Sequence, residues 1–325
     1  MAFNKKIETD KAKTVNTGFG TNAANYGGRF LNQDGTPNIE KRGMGFFARV
    51  SWFHSMLSIS GGRFFLIILF FYISVNLFFT LIYYLIGVEN LIGLKTDSEA
   101  EKFMEAFFFS TQTYTTVGYG RISPSGFLMN AVSSFHALIG LLSFAVATGL
   151  MYGRFSRPKA FIKFAENAVI APYKNISALM IRLTPFKNTT LTDAESKMTL
   201  IIITDEENGK TSNQFFTLDL ELSSINALTL SWTLVHPITK DSPLHNFSKQ
   251  DFANAKGEII VFVKAFDDMF SNTVIARTSY TFNEIVYGSK FVPMFHRDNQ
   301  NDITILDLDK LSVMEAASLP EETNH

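Results

Sequence analysis

Two long runs without charge constrain this chain more than any other feature. Phe64–Ile86 carries no charged side chain, and Phe127–Tyr152 carries a single ionisable group, His136. At ~1.5 Å per residue, either run as a helix exceeds a ~30 Å hydrocarbon layer. Ser74, Asn76 and Thr80 are polar exceptions in the first run and are expected to face protein. Lys41, Arg42, Arg49 and Arg63 precede the first run; Arg154, Arg157, Lys159 and Lys163 follow the second. Positive charge at both outer flanks orients the two spans with both termini in the cytoplasm, in a plasma (inner) membrane. The connection between the spans then faces outside.

That connection, Gly87–Gly126, holds an aromatic stretch, Phe103–Tyr114, which has helical character and is too short to span. Thr115-Thr116-Val117-Gly118-Tyr119-Gly120 follows it. Non-helical backbone at membrane depth is tolerated where it lines a polar path or is buried in protein. A dehydrated cation needs its water oxygens replaced, and backbone carbonyls serve if successive ones point the same way. Gly118 and Gly120 permit the alternating backbone this requires. Thr116 adds a hydroxyl at the inner end, while Val117 and Tyr119 are expected to point away and pack on the short helix. TVGYG is also the sequence from which potassium-channel selectivity filters are built. One chain supplies one wall of such a tube, so four copies are required. The helix before the filter would aim its partly negative C-terminal end at the cavity and favour a cation there.

Arg121 follows the filter directly, and a salt bridge to Glu105 would neutralise it. In the second run Phe144, Thr148 and Tyr152 sit four apart, on one helical face. If that face lines the pore, rings of Phe144 and Tyr152 form apolar constrictions able to gate by dewetting; helix packing is the alternative reading. Gly140, Gly149 and Gly153 are candidate bend points.

The remaining segments are simpler. Residues 1–45 are rich in Asn, Gly, Thr and Lys and read as mostly disordered; they lack the apolar core of a signal peptide. Phe46, Phe47, Val50, Phe53 and Leu57 recur at helical spacing, as in a helix lying in the membrane interface. After residue 165 short β-rich runs alternate with turn residues: Ile176–Leu183, Lys197–Thr204, Gln214–Leu220, Leu228–Val235, Glu258–Phe266 and Val274–Tyr280. They argue for a β-sandwich. The formal charge of −1 implies no nucleic-acid partner, and the absence of cysteine excludes disulfides and thiolate metal sites. No phosphate loop, nucleophile elbow or HExxH spacing occurs, so no enzyme and no organic cofactor are expected.

These features together resemble an inward-rectifier potassium channel of the bacterial KirBac type, over roughly residues 40–300. The resemblance rests on the filter, on Tyr152–Ala160 (YGRFSRPKA), Glu166–Asn175 (ENAVIAPYKN), Leu179–Leu183 (LMIRL), His236–Phe252 (HPITKDSPLHNFSKQDF) and Ala276–Phe295 (ARTSYTFNEIVYGSKFVPMF). It implies a homotetramer and a membrane α plus all-β architecture. The segments are a disordered N-terminus (1–45), a slide helix (46–58), a two-span pore domain (63–154), a linker (155–170), an immunoglobulin-like cytoplasmic domain (171–315) and a tail (316–325).

The site residues implied are Thr116, Val117, Gly118, Tyr119 and Gly120 for potassium, the permeant ion, with Gln112, Thr115 and Arg121 supporting them. Gln112 stands where many members carry glutamate, so support is expected from neutral hydrogen bonds or from Glu105. Tyr152 matches the family's bundle-crossing gate, and Phe144 and Thr148, on the same helical face by spacing, complete the candidate gate. Ser271, in the turn Asp267–Asn272, matches the cytoplasmic constriction. Arg154, Arg157 and Lys159 match positions that contact anionic lipid head groups; before the first span, Gly61-Gly62-Arg63 keeps only the arginine, Arg63, of the family's basic-aromatic-basic cluster. Phe144 replaces the acid with which strong rectifiers hold cytoplasmic magnesium or polyamines, so rectification is expected to be weak. The resemblance also brings a grouping with voltage-gated channels. A membrane-anchored sensor with a non-conducting pore is the competing reading.

Overall fold

The computed structural model describes residues 29–40, 42–43, 45, 51–96, 98–187, 189–205, 211–298 and 300–320. They form two compact units, one of the described residues within 42–157 and a second made of residues 29–40 with the described residues of 158–320.

The first unit is helical. Helix α1, Trp52–Ser58, is capped by Ser51, whose hydroxyl accepts from the His54 N–H. Phe46, Phe47, Arg49 and Val50, expected to begin this helix, lie outside the described residues. Helix α2 runs Gly61–Ile86 and helix α4 runs Phe127–Phe155. Among the described residues these are the two helices long and apolar enough to cross a membrane. Between them lies α3, Glu99–Tyr114, four residues longer at its start than its aromatic stretch because Glu99 and Glu101 suit the positive N-terminal end of a helix. Two short strands, β1 (Leu91–Ile92) and β2 (Ser123–Pro124), pair antiparallel across the outer loop.

The three helices meet at buried side chains from each: Phe79 and Tyr83, Ala106 and Phe109, and Met129. Two of the three polar exceptions of the first span turn inward, while Ser74 is half-buried. Asn76 and Thr80 are fully buried, and Ser110 of α3 donates to both the backbone and side-chain oxygens of Asn76, at 3.0 and 3.1 Å. In a low-dielectric layer an unpaired amide costs free energy, and this bond offsets it.

The second unit is a sandwich of two five-stranded sheets. One sheet has the order β11-β10-β6-β7, with β8 also on β6; the strands are β6 (Leu191–Asp205), β7 (Thr211–Leu218), β8 (Ser224–Leu228), β10 (Gly257–Asp267) and β11 (Asn272–Thr281). The other has the order β12-β4-β5-β3, with β9 also on β5. Its strands are β3 (Ile162–Phe164), β4 (Ala168–Tyr173), β5 (Ile176–Pro185), β9 (Trp232–Pro237) and β12 (Ile285–Tyr287). From Ala194 onward burial along β6 has period two, with Ala194, Ser196, Met198 and Leu200 inward and Glu195 and Lys197 outward, which sets the register; Leu191 reaches the core on the far side of a bulge at Asp193. Facing them across the core are Ile170, Leu179, Ile181 and Leu183. The apolar run read as one strand, Leu228–Val235, is instead two, β8 and β9, separated by Thr229–Ser231.

Three other expectations shift. Residues 29–38, read as disordered, fold onto the first sheet. Phe30 and Leu31 are buried with Ile201, Phe215 and Ile260, and their N–H groups donate to the Glu258 carboxylate at 2.7 and 3.1 Å. The linker read at 155–170 already contains the end of α4 and all of β3. The tail begins inside β14 (Met314–Ala316), which pairs with β13 (Ser289–Phe291), and Leu319 packs on the core.

Buried Arg182 ties the C-terminal part of the unit down, donating from Nε and Nη2 to the carbonyl of Leu311 at 2.9 and 2.6 Å and from Nη1 to that of Val292 at 2.5 Å. Burial pulls its guanidinium down to about 10. His236 is 4% exposed, with Nδ1 2.7 Å from the Asp219 carbonyl and Nε2 2.8 Å from Ser242 Oγ; burial holds it below the usual histidine value.

Candidate ion-selective site

Helix α3 ends in a Schellman motif. Thr116 N–H donates to the Thr113 carbonyl at 3.1 Å and Val117 N–H to the Gln112 carbonyl at 3.0 Å. That motif places one residue in the left-handed region, usually glycine. Here it is Thr116, with φ +58°, an unfavourable conformation for a β-branched residue. Thr115 steadies the turn, its hydroxyl donating to the Thr111 carbonyl at 2.8 Å.

From Thr116 onward positive φ recurs at every second residue: +58° at Thr116, +47° at Gly118 and +82° at Gly120. Flipping alternate residues into this region turns successive carbonyls toward one side, which a cation-binding wall requires. All six residues, Thr115 to Gly120, are exposed in the single chain. Val117 is 52% and Tyr119 79% exposed, which corrects the expectation that they pack on their own pore helix. One protomer leaves the back of the strand uncovered.

Support for this strand comes from two sources. Arg121 Nη2 lies 3.0 Å from Glu105 Oε1, and its Nη1 donates to the Gly93 carbonyl at 3.2 Å, behind the outer end. Gln112 is half-buried and contributes its backbone carbonyl to the Schellman motif.

Sequence reasoning missed a second contact. A Cβ at Gly140 of α4 would collide with the Tyr114 carbonyl, so Gly140 serves a close helix approach rather than a bend. Gly149, by contrast, has open space around it, and Gly153 meets Leu57 of α1.

The buried stripe of α4 is Met129, Ser133, His136 and Gly140. At 100° per residue Phe144 lies about 50° from the centre of that stripe, and Thr148 and Tyr152 turn progressively away from it, by about 90° and about 130°. All three are exposed, Phe144 at 72% and Tyr152 at 73%. At the exit, Arg154 departs from the expected lipid-facing role. Its guanidinium donates to the carbonyls of Met56 and Ile59, at 3.3 and 2.5 Å, which the end of α1 leaves without helical partners. It also lies 5.2 Å over the Phe64 ring. Arg63, Arg157 and Lys159 are exposed.

In the second unit Ser271 closes the β10–β11 turn with φ +47° and is exposed. The turn hangs on buried Asp267, which accepts from the N–H groups of Met269 and Phe270 at 2.9 and 3.3 Å and from the Thr189 hydroxyl at 2.9 Å. Its apex is Met269, 71% exposed, which no sequence motif singles out. Among the described residues no group of three His, Asp or Glu could hold a metal ion.

Residues 162–324 match the family model described as inward rectifier potassium channel C-terminal domain, and residues 67–157 match a model described as ion channel. The inward rectifier potassium channel Kirbac3.1 of Paramagnetospirillum magnetotacticum is 33% identical over 273 residues, covering 82% of this chain and 89% of that protein. The Caenorhabditis elegans inward rectifier potassium channel irk-1 is 28% identical over 63% of this chain and 39% of its own length. The Gallus gallus ATP-sensitive inward rectifier potassium channel 12 is 29% identical over 69% of this chain and 57% of its own length. These relatives are channels, not enzymes. The grouping with voltage-gated channels does not hold, because the matched family is the inward rectifiers, which are not voltage-gated.

Proposed function

The chain belongs to the inward-rectifier potassium channel family, and from that premise we propose that it forms a homotetrameric, potassium-selective pore with Thr116–Gly120 as the filter. The observation that carries this reading is positive φ at Thr116, Gly118 and Gly120, directly after a pore helix between two spans. Potassium is the permeant ion, bound by the carbonyls of Thr116 to Tyr119 and the Thr116 hydroxyl. Neighbouring subunits cover Val117 and Tyr119, whose exposure in one chain is otherwise costly.

The inner gate is the stripe Phe144, Thr148 and Tyr152, four copies of which form an apolar constriction. The turn bearing Met269 and Ser271 forms a second one. Rectification is weak, since no acid in α4 holds cytoplasmic magnesium or polyamines. Arg63, Arg157 and Lys159 meet anionic head groups, and phosphoinositides lower the flux. Arg154 couples α1 to the gate end of α4. Both termini lie in the cytoplasm. Barium-sensitive rubidium uptake by proteoliposomes tests the reading; a protein that is folded yet gives none is a sensor with a closed pore rather than a channel.

A further inference from the structure

Between its ends α4 carries one side chain with an imidazole, carboxylate or cationic group, His136, and it is completely buried. An ionisable group at membrane depth calls for a reason. Its ring stacks on Phe79 of α2, with centroids 3.8 Å apart and planes 8° from parallel. Its Nδ1 lies 3.0 Å from the Tyr83 hydroxyl, also of α2. Its Nε2 is buried without a hydrogen-bond partner. Packing alone does not account for this choice, because an apolar residue of similar volume would fill the space with no nitrogen left unpaired.

The third neighbour of the imidazole supplies the reason. Tyr114, the last residue of the pore helix, has its ring 5.9 Å from that of His136. On its other side Tyr114 meets Tyr72 edge-on, at 5.4 Å. Gly140, one turn beyond His136, abuts the Tyr114 carbonyl. Tyr114 is thus clamped between both spans two residues before the strained Thr116. The Tyr83 bond and the Phe79 stack fix the imidazole, and Tyr114 lies beside it with its ring tilted 50° to the imidazole plane.

We propose that His136 is a positioning residue for ion selection: locked by Tyr83, it holds Tyr114 and so fixes the last turn of the pore helix from which the filter strand starts. It touches no permeant ion. The inference rests on reading residues 116–120 as the filter.

The test uses the full-length channel in proteoliposomes and reads the potassium-over-sodium permeability ratio. Loss of one hydrogen bond of ordinary strength corresponds to a fall of about fivefold in that ratio. H136L and Y83F are each expected to show that fall, and the double variant no more than either single one, since both break the same link. H136N, which keeps a polar atom near the position of Nδ1, is expected to restore most of the ratio. An unchanged ratio in Y83F, which deletes one oxygen and preserves packing, overturns the proposal even if H136L fails to fold. Losses that multiply in the double variant also overturn it. A wild-type channel with no selectivity defeats the filter reading and this inference with it; a selective wild type with unaltered variants defeats only the inference.

Discussion

Replacing Arg121 by glutamine should cost more stability than replacing its partner, Glu105, by glutamine. The two charges are 3.0 Å apart, a Coulomb attraction of about 1.4 kcal/mol in water and about 5.5 kcal/mol at an effective dielectric of 20. Desolvation and side-chain ordering offset most of it. The side chains are 46% and 22% exposed, so the pair lies between an exposed bridge and a buried one. Arg121→Gln leaves the less exposed member charged and alone, and Glu105 Oε2 already lacks a partner. It also removes the donor to the Gly93 carbonyl. The expected loss is about 2 kcal/mol, or about thirtyfold in the folding equilibrium. Glu105→Gln strands only Arg121, which reaches water, and should cost about 1 kcal/mol or less. The double variant should be more stable than the sum of the single losses predicts. Denaturation in mixed detergent micelles followed by intrinsic fluorescence gives all three values. Equal losses for the two single variants, or strict additivity in the double, would refute the reasoning.

Three other outcomes follow from the same structure. Phe144→Asp should convert weak rectification into steep, voltage-dependent block by internal spermine in patch recordings; strong block already present in the wild type contradicts the account of Phe144. Added phosphoinositide should reduce rubidium flux in liposomes, and Arg157→Gln with Lys159→Gln should blunt that reduction; an increase in flux reverses the assignment. His236 is held neutral by burial, so its folded-state value lies below its unfolded one. The stability it contributes is fully present above about pH 6.5 and is lost as pH falls below that value. Thermal melts of the full-length protein between pH 8 and 5 should therefore be flatter in His236→Gln, and parallel curves would remove His236 from the acid response.

The membrane unit was largely legible because its signals are local. Length and absence of charge mark α2 and α4, and glycine spacing marks Gly118 and Gly120 as the flexible positions of the strand. The sandwich was legible as a class, since period-two burial recurs along β6 and β10. What escaped depends on partners far away in the sequence. Nothing near Phe30 and Leu31 announces that Glu258 will accept their N–H groups. Gly140 looks like a hinge until the Tyr114 carbonyl is seen against it. Arg154 reads as a lipid-facing cation until the end of α1 presents two unsatisfied carbonyls. Sequence alone offers no packing partner for Val117 and Tyr119 beyond their own helix, and a single chain leaves them exposed; the proposed tetramer supplies their cover.

The central claim is that Thr116–Gly120 selects potassium. The reversal potential of the reconstituted channel, with potassium on one side of the bilayer and sodium on the other, tests it most directly. A reversal potential far from zero, in the direction of potassium selectivity and abolished by barium, is expected. A value near zero would contradict the claim, whatever the current.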